Sequence, residues 1–204
     1  MGRRKKEPRS VHREHIAAAA SALFMAKGIE AVSMEDIAKA AGYSKATLYV
    51  YFENKEEIVG LLVADSMQKL YDYIAAALAE QEATRGRYDL ICRGLVRYQQ
   101  EFPFYFEMAL AKINVDEEQE AYQAGEAINA KLAEFLAAGM ARGDLRDKLA
   151  VLPTILNFWG MLAGVIKLAA EKEEYIQRAT GMGRQEFLAY GFDMLYRAIA
   201  REEA

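Results

Sequence analysis

Apolar residues recur at three- and four-residue intervals along most of the chain, the period of an amphipathic helix. The first stripe puts Ile16, Ala20, Leu23 and Phe24 on one side of a helix that begins near Ser10 and stops at Gly28. Ser33 and Asp36 then make a variant capping box, with Asp where Glu is usual. That box opens a short helix over residues 34–41, which buries Ile37 and Ala38 before Gly42 ends it. Ser44 is placed to cap a third helix over 45–52. Asn54 and Glu57 form another capping box, and a long helix follows with Val59, Leu62, Val63, Met67, Leu70, Ile74 and Leu78 as its apolar stripe.

Further helices are expected over 87–101, 103–112, 116–142, 153–172 and 184–202, about nine in all. Pro103 and Pro153 suit the first helical position, where a missing N–H costs nothing. Composition supports an all-α fold, because 36 Ala stand against 9 Val and 4 Thr. The pattern divides into a small head over residues 1–55, with a basic tail at 1–9, and a helical body over 56–204. Residues 149–166 carry no charge, but the helical stretch from Pro153 to Lys167 is expected to be too short for a bilayer, leaving a buried helix. The N-terminal residues lead into no apolar segment of signal-peptide length, so a cytoplasmic location is expected.

Charge changes the picture further. The net charge is −4, yet residues 1–55 hold 10 Lys and Arg against 6 Asp and Glu, so the excess of acid lies wholly in the body. A basic quarter on an acidic chain suits a polyanion such as DNA, although a solvated tail containing Arg3, Arg4, Lys5 and Lys6 explains the same count.

The informative unit is helix, tight turn, helix. Such a unit needs a small residue where two helices touch, a turn residue that tolerates positive φ, and apolar positions that lock the crossing. Ala38, Gly42, Ile37, Tyr43 and Leu48 supply them. An ordinary helical corner has the same ingredients, so the unit alone leaves both readings open.

Residues 16–62 resemble the DNA-binding head of the TetR family of bacterial transcriptional regulators. The resemblance rests on Leu23-Phe24, Gly28, Ser33, Asp36-Ile37-Ala38, Ala41-Gly42, Ser44-Lys45, Thr47-Leu48-Tyr49, Tyr51-Phe52 and Asn54-Lys55-Glu56. Tyr43 departs from the small aliphatic residue usual after the turn glycine, and Tyr51 stands where many members carry His. The family implies a head of three helices joined by a long helix to a ligand-binding and dimerisation body. It implies a homodimer that binds a palindromic double-stranded DNA operator as a repressor and answers to a small-molecule effector. On this reading the third helix enters the major groove. Lys45 donates to guanine, while Ala46 and the Thr47 methyl meet thymine methyls. Tyr49, Tyr51, Lys55 and the helix starts at Ser33 and Ser44 are expected at phosphates. Two alternatives remain: a helical ligand-binding protein that has lost DNA binding, and a nucleoid-type DNA binder without effector control.

Other chemistry finds little support. His12 and His15 share a helix face without an acid or thiol to complete a metal site. Cys92 sits in an apolar helix and reads as a small buried hydrophobe. No phosphate loop, nucleophile elbow or carboxylate pair is present, so no enzyme activity and no cofactor are expected. In the body, the aromatic run around Pro103 offers Tyr98, Phe102, Tyr105 and Phe106 as one wall of an effector pocket. Asn157, Trp159 and Met161 are expected as the other, with Asn157 as a buried amide that orients the ligand. Plain core packing explains the same rings. The helices over 153–172 and 184–202 are apolar on two faces, which suits a body on one side and a second subunit on the other.

Overall fold

In the computed structural model, residues 8–80, 83–108 and 119–201 are described. They form ten α-helices and one isolated β-bridge, between Leu145 and Ala200. The contacts divide them into two units, and the division falls between Ser66 and Met67, inside a helix.

The head begins with α1 (Arg9–Lys27), α2 (Met34–Ala40) and α3 (Lys45–Tyr51). Helix α1 starts one residue before Ser10, with Pro8 at its cap. It buries Ile16, Ala17, Ala20 and Phe24, while Leu23 is half-buried. The Ser33 box forms in both directions: the Asp36 N–H donates to Ser33 Oγ at 3.2 Å, and the Ser33 N–H donates to Asp36 Oδ2 at 3.0 Å. Gly42 takes φ +72°, a left-handed conformation that a side chain would strain, and it turns the chain into α3. Ile37, Ala38, Leu48 and Phe52 are buried, which locks α2 and α3 together.

Helix α4 (Lys55–Ala79) leaves the head and continues past the division. At its start the Glu57 N–H donates to Asn54 Oδ1 at 2.8 Å, but the Glu57 carboxylate accepts from the Glu53 N–H at 2.8 Å rather than from Asn54. The box is therefore shifted by one residue.

The body continues through α5 (Thr84–Glu101), α6 (Pro103–Met108), α7 (Gln119–Arg142), α8 (Val151–Glu171), α9 (Glu173–Thr180) and α10 (Arg184–Ile199). Helix α9 is the element that the apolar pattern missed. Its sequence, EEYIQRAT, offers Ile176 alone as a buried side chain, too little for a readable stripe. Pro103 opens α6 as expected. Pro153, however, is the third residue of α8, which reaches back to Val151 and runs for 21 residues. The length argument against a membrane span thus fails, for α8 is long and apolar enough by composition. It is also not a fully buried helix. Ile155, Leu162, Ala163, Ile166 and Ala169 face the interior, whereas Leu152, Leu156, Gly160, Gly164 and Leu168 lie on its exposed side. Helix α10 packs on α8 at Gly191, where an added Cβ would stand 2.9 Å from Val165 Cγ1. Residues 109–112 and 116–118 of the expected helices lie outside the described residues.

Candidate nucleic-acid interface and ligand cavity

Helix α3 is short because Ser44 fixes its start and Phe52 its end. The Thr47 N–H donates to Ser44 Oγ at 3.1 Å, and the two hydroxyls meet at 2.7 Å. Leu48 turns inward, so Lys45, Ala46, Tyr49 and Val50 are left exposed. Val50 is 63% and Tyr49 48% exposed, an unusual apolar load for a seven-residue helix. Lys45 makes only a loose pair with Glu35, at 3.5 Å between two exposed side chains. Its charge is thus free for another anion. Thr47 is half-buried, with its hydroxyl held by Ser44.

Three of the expected phosphate contacts have other commitments. Lys55 Nζ donates to the carbonyls of Ile29 (2.8 Å) and Val32 (3.0 Å), so its ammonium chiefly ties the turn after α1 to α4. Ser33 Oγ donates to Asp36 Oδ2 at 2.5 Å, and that carboxylate already occupies the start of α2. These bonds hold the Asp36 carboxyl below its ordinary pKa, Ser33's hydroxyl contributing most and its N–H next. Tyr51 is half-buried beside His12, with ring centroids 5.2 Å apart.

The turn is reinforced by Tyr43 and the two histidines, and α3 by two arginines that the sequence pattern passed over. The Tyr43 N–H donates to the Ala38 carbonyl at 2.8 Å, and its hydroxyl meets His12 Nδ1 at 2.7 Å. His15 Nε2 donates to the Ala41 carbonyl at 3.0 Å, so both histidines brace the turn. Tyr43 fits because His12, His15 and Tyr51 surround it with ring edges and faces. Arg9 Nη2 donates to the Val50 carbonyl at 2.7 Å. Arg13 Nη1 donates to the Tyr51 carbonyl at 2.5 Å and to Glu57 Oε1 at 2.8 Å, and its guanidinium lies 4.1 Å from the Phe52 ring centre. Arg9 and Arg13 stand four apart on α1, and that spacing was the available signal. Val50 was equally legible, four residues after Ala46.

In the body, the rings around Pro103 pack on one another and take no part in the lining of the cavity between α5, α7 and α8. The chain breaks at Phe102 and α6 folds back on α5, so the rings fill each other's space. Tyr98 lies 5.6 Å from Phe102 and 6.3 Å from Phe106 between centroids, and Tyr98, Tyr105 and Phe106 are buried. Asn157 is exposed and turns its amide onto the Pro153 carbonyl at 2.8 Å, and Met161 is exposed too. Of the seven expected pocket residues, Trp159 alone lines a cavity found in the body among the described residues. That cavity comprises about 530 Å³ of space between its walls, partly open to solvent. Tyr88, Ile91 and Leu95 of α5 form one side, with Leu132, Phe135 and Leu136 of α7 beside them. Thr154, Ile155, Phe158, Trp159 and Leu162 of α8 close it, with Ile74 and Ile199 at its ends. Each set has helical spacing and reads from sequence as core; a void between such faces depends on how the helices pack. Cys92 is buried on α5, and burial pushes its thiol up to about 12, which keeps it protonated.

The comparisons with known proteins fit this geometry. Residues 16–62 match the family model described as bacterial regulatory proteins, tetR family. Over 82 residues the chain is 34% identical to the HTH-type transcriptional regulator TtgR of Pseudomonas putida, a match that covers 40% of this chain and 39% of that protein. The probable HTH-type transcriptional regulator ArpR, also of Pseudomonas putida, matches to the same extent. The chain thus spans well under half the length of these curated relatives. Among solved structures, a putative tetR family transcription regulator from Shewanella sp. PV-4 shares the fold at a TM-score of 0.74 with 21% identity, over 94% of this chain and 99% of that one. A protein of unknown function from Rhodococcus sp. RHA1 does so at 0.79 with 18% identity, over 98% and 100%. The fold is all-α with a helix-turn-helix head. Residues 16–62 are thus a tetR-family segment, carried on a chain that shares its overall fold with these solved structures.

Proposed function

We propose that the chain is a cytoplasmic, non-enzymatic repressor that binds a palindromic double-stranded DNA operator as a homodimer and is controlled by a small-molecule effector. Residues 1–55 serve as the DNA-binding head, the basic tail 1–9 included, and residues 56–204 as the effector-binding and dimerisation body. The observation that carries the reading is the exposed face of α3, where Lys45, Ala46, Tyr49 and Val50 are held outward while Leu48 anchors the helix. A cation, two small apolar groups and a phenol on one short rigid helix suit base edges and phosphates of a major groove. Ser44 and Thr47 flank that face at its start. Tyr51, Ser33 and Lys55 act at its margins, Lys55 with the donor its two carbonyls leave over.

Dimerisation is supported by the exposed side of α8, where Leu152, Leu156 and Leu168 lie in line with Gly160 and Gly164, together with Tyr190 and Met194 on α10. Water on so much apolar surface is unfavourable, and a second copy removes it. The cavity supports effector control over a DNA binder without a ligand site. Effector binding acts through α4, one continuous helix that starts in the head and supplies Ile74 to the cavity wall. Selection of bound sequences from random duplexes tests the reading: a recovered palindrome supports it, and recovery of no preferred sequence overturns it.

A further inference from the structure

The cavity in the body is lined by carbon. Tyr88, Phe135, Phe158 and Trp159 give it four rings, and among the described residues no Lys, Arg, His, Asp or Glu lines it. Its side-chain hydroxyls belong to Thr154 and Tyr88, and Tyr88 already donates to the Phe192 carbonyl at 2.9 Å. The charges that flank Tyr88 on α5 are spent: Arg85 pairs with Asp89 at 3.0 Å and with Asp193 at 2.8 Å. A carboxylate or ammonium entering this space would surrender its hydration and meet no counter-charge. A neutral ring surrenders little water and gains ring-on-ring contact on several sides. The space between these walls is narrow and partly open to solvent, which limits its occupant to a small molecule.

We propose that this cavity selects an uncharged, mainly aromatic small molecule with at most one hydrogen-bonding group, and rejects anions and cations of the same shape. The proposal rests on the effector-binding reading of the body and names its ligand class. Thr154 lines the cavity from a half-exposed position on the same helix as Phe158 and Trp159, which makes it the position at which a charge can be introduced by substitution.

Toluene, benzoate and benzylamine share a ring and differ in charge, so they separate the terms. With the full-length protein, affinity is read from Trp159, the sole tryptophan, and from the thermal midpoint. Toluene is expected to change Trp159 emission and raise the midpoint, with both charged compounds at least about tenfold weaker. Thr154→Lys, at a half-exposed position where the ammonium reaches water, is expected to bring benzoate binding up towards that of toluene. Benzoate or benzylamine binding the wild type as tightly as toluene overturns the proposal, as does failure of all three to bind. The wild-type comparison decides even where Thr154→Lys does not fold. Toluene that binds without changing operator affinity upholds the ligand class and overturns effector control instead.

Discussion

Arg13 on α1 holds the carbonyl of Tyr51, the last residue of α3, at 2.5 Å while pairing with Glu57 of α4 at 2.8 Å. One planar guanidinium thus ties the far end of the exposed helix to both neighbours, and the Phe52 ring beneath it fixes its plane. The carbonyls at a helix end lack partners within the helix, so this bond satisfies a group that water would otherwise take. Arg13→Ala is expected to cost about 1–2 kcal/mol of stability, the range for a charge-assisted bond between partly exposed groups. Arg13→Lys should recover only part of that, because the shorter ammonium side chain loses the planar face that the guanidinium lays on the Phe52 ring. Denaturant midpoints of the two variants check the order; equal losses would show that only charge matters.

The same corner carries a pH dependence. Burial works to raise the Glu57 carboxyl, but bonds from the Glu53 N–H and from Arg13 outweigh it and leave the pKa below its ordinary value. Asp36 is lowered as well, by Ser33. Both carboxyls bind protons less readily folded than unfolded, so their stabilisation is present above the ordinary values of 4.5 and 3.8 and fades as pH falls through the lower folded values. Acidification from pH 6 to about 3 should therefore loosen α2 and the start of α4. Amide exchange at Ser33 and Glu53, whose N–H groups donate to these carboxylates, reports it directly. Replacement of Asp36 by Asn should flatten the response at α2 and leave that at α4 in place.

The head was largely legible because its signals are local. The Ser33–Asp36 and Ser44–Thr47 caps, the turn glycine and the buried Ile37 and Leu48 each act within a few residues, where spacing determines contact. What escaped notice there depended on reach between helices: nothing in the neighbourhood of Lys55 announces that its ammonium ends on the carbonyls of Ile29 and Val32. The body was legible as helices and much less as a site. Asn157 and Trp159 are two apart on a strongly apolar helix, and helical geometry sends them to different sides. Only packing decides which side meets the cavity, and it chose Trp159. The aromatic run around Pro103 was ambiguous for a related reason, since rings that line a cavity and rings that fill a corner have the same composition, and here the rings pack on one another.

Exposure on α8 separates folding from assembly. Leu156 is 55% exposed, so a Glu there meets water in a lone subunit and should leave its fold intact. In a dimer built on that face, two carboxylates would be buried without partners, at a cost of several kcal/mol. Leu156→Glu is expected to sediment as a folded monomer at micromolar concentrations where the wild type is expected to sediment as a dimer. Leu195 is half-buried, so a change there would confuse the two effects. Unchanged sedimentation of Leu156→Glu would remove α8 from the interface.

On the proposed reading, the exposed side of α3 divides its labour between affinity and choice of sequence. Lys45 is tied only loosely to Glu35, and a cation at a helix start bound to phosphate or to a guanine edge releases a condensed counter-ion. Lys45→Ala should lower affinity for operator and reduce the salt dependence of binding by about one unit of slope for each head engaged. Ala46 and Val50 lie one turn apart and their side chains carry no hydrogen-bonding atoms, so on that reading they are expected to meet thymine methyls. Val50→Ala shortens the Val50 side chain without disturbing the core, for Val50 is 63% exposed. It should weaken binding to the preferred operator by about 1 kcal/mol at one base position per half-site and leave random DNA unaffected. Thr47→Ala differs, because the Thr47 hydroxyl is held by Ser44: it should shift base preference by roughly 1–3 kcal/mol at one position and also loosen the start of α3. Competition binding against single-base operator variants distinguishes the two. A Val50→Ala loss shared equally by operator and random duplex would place Val50 on the backbone rather than at a base.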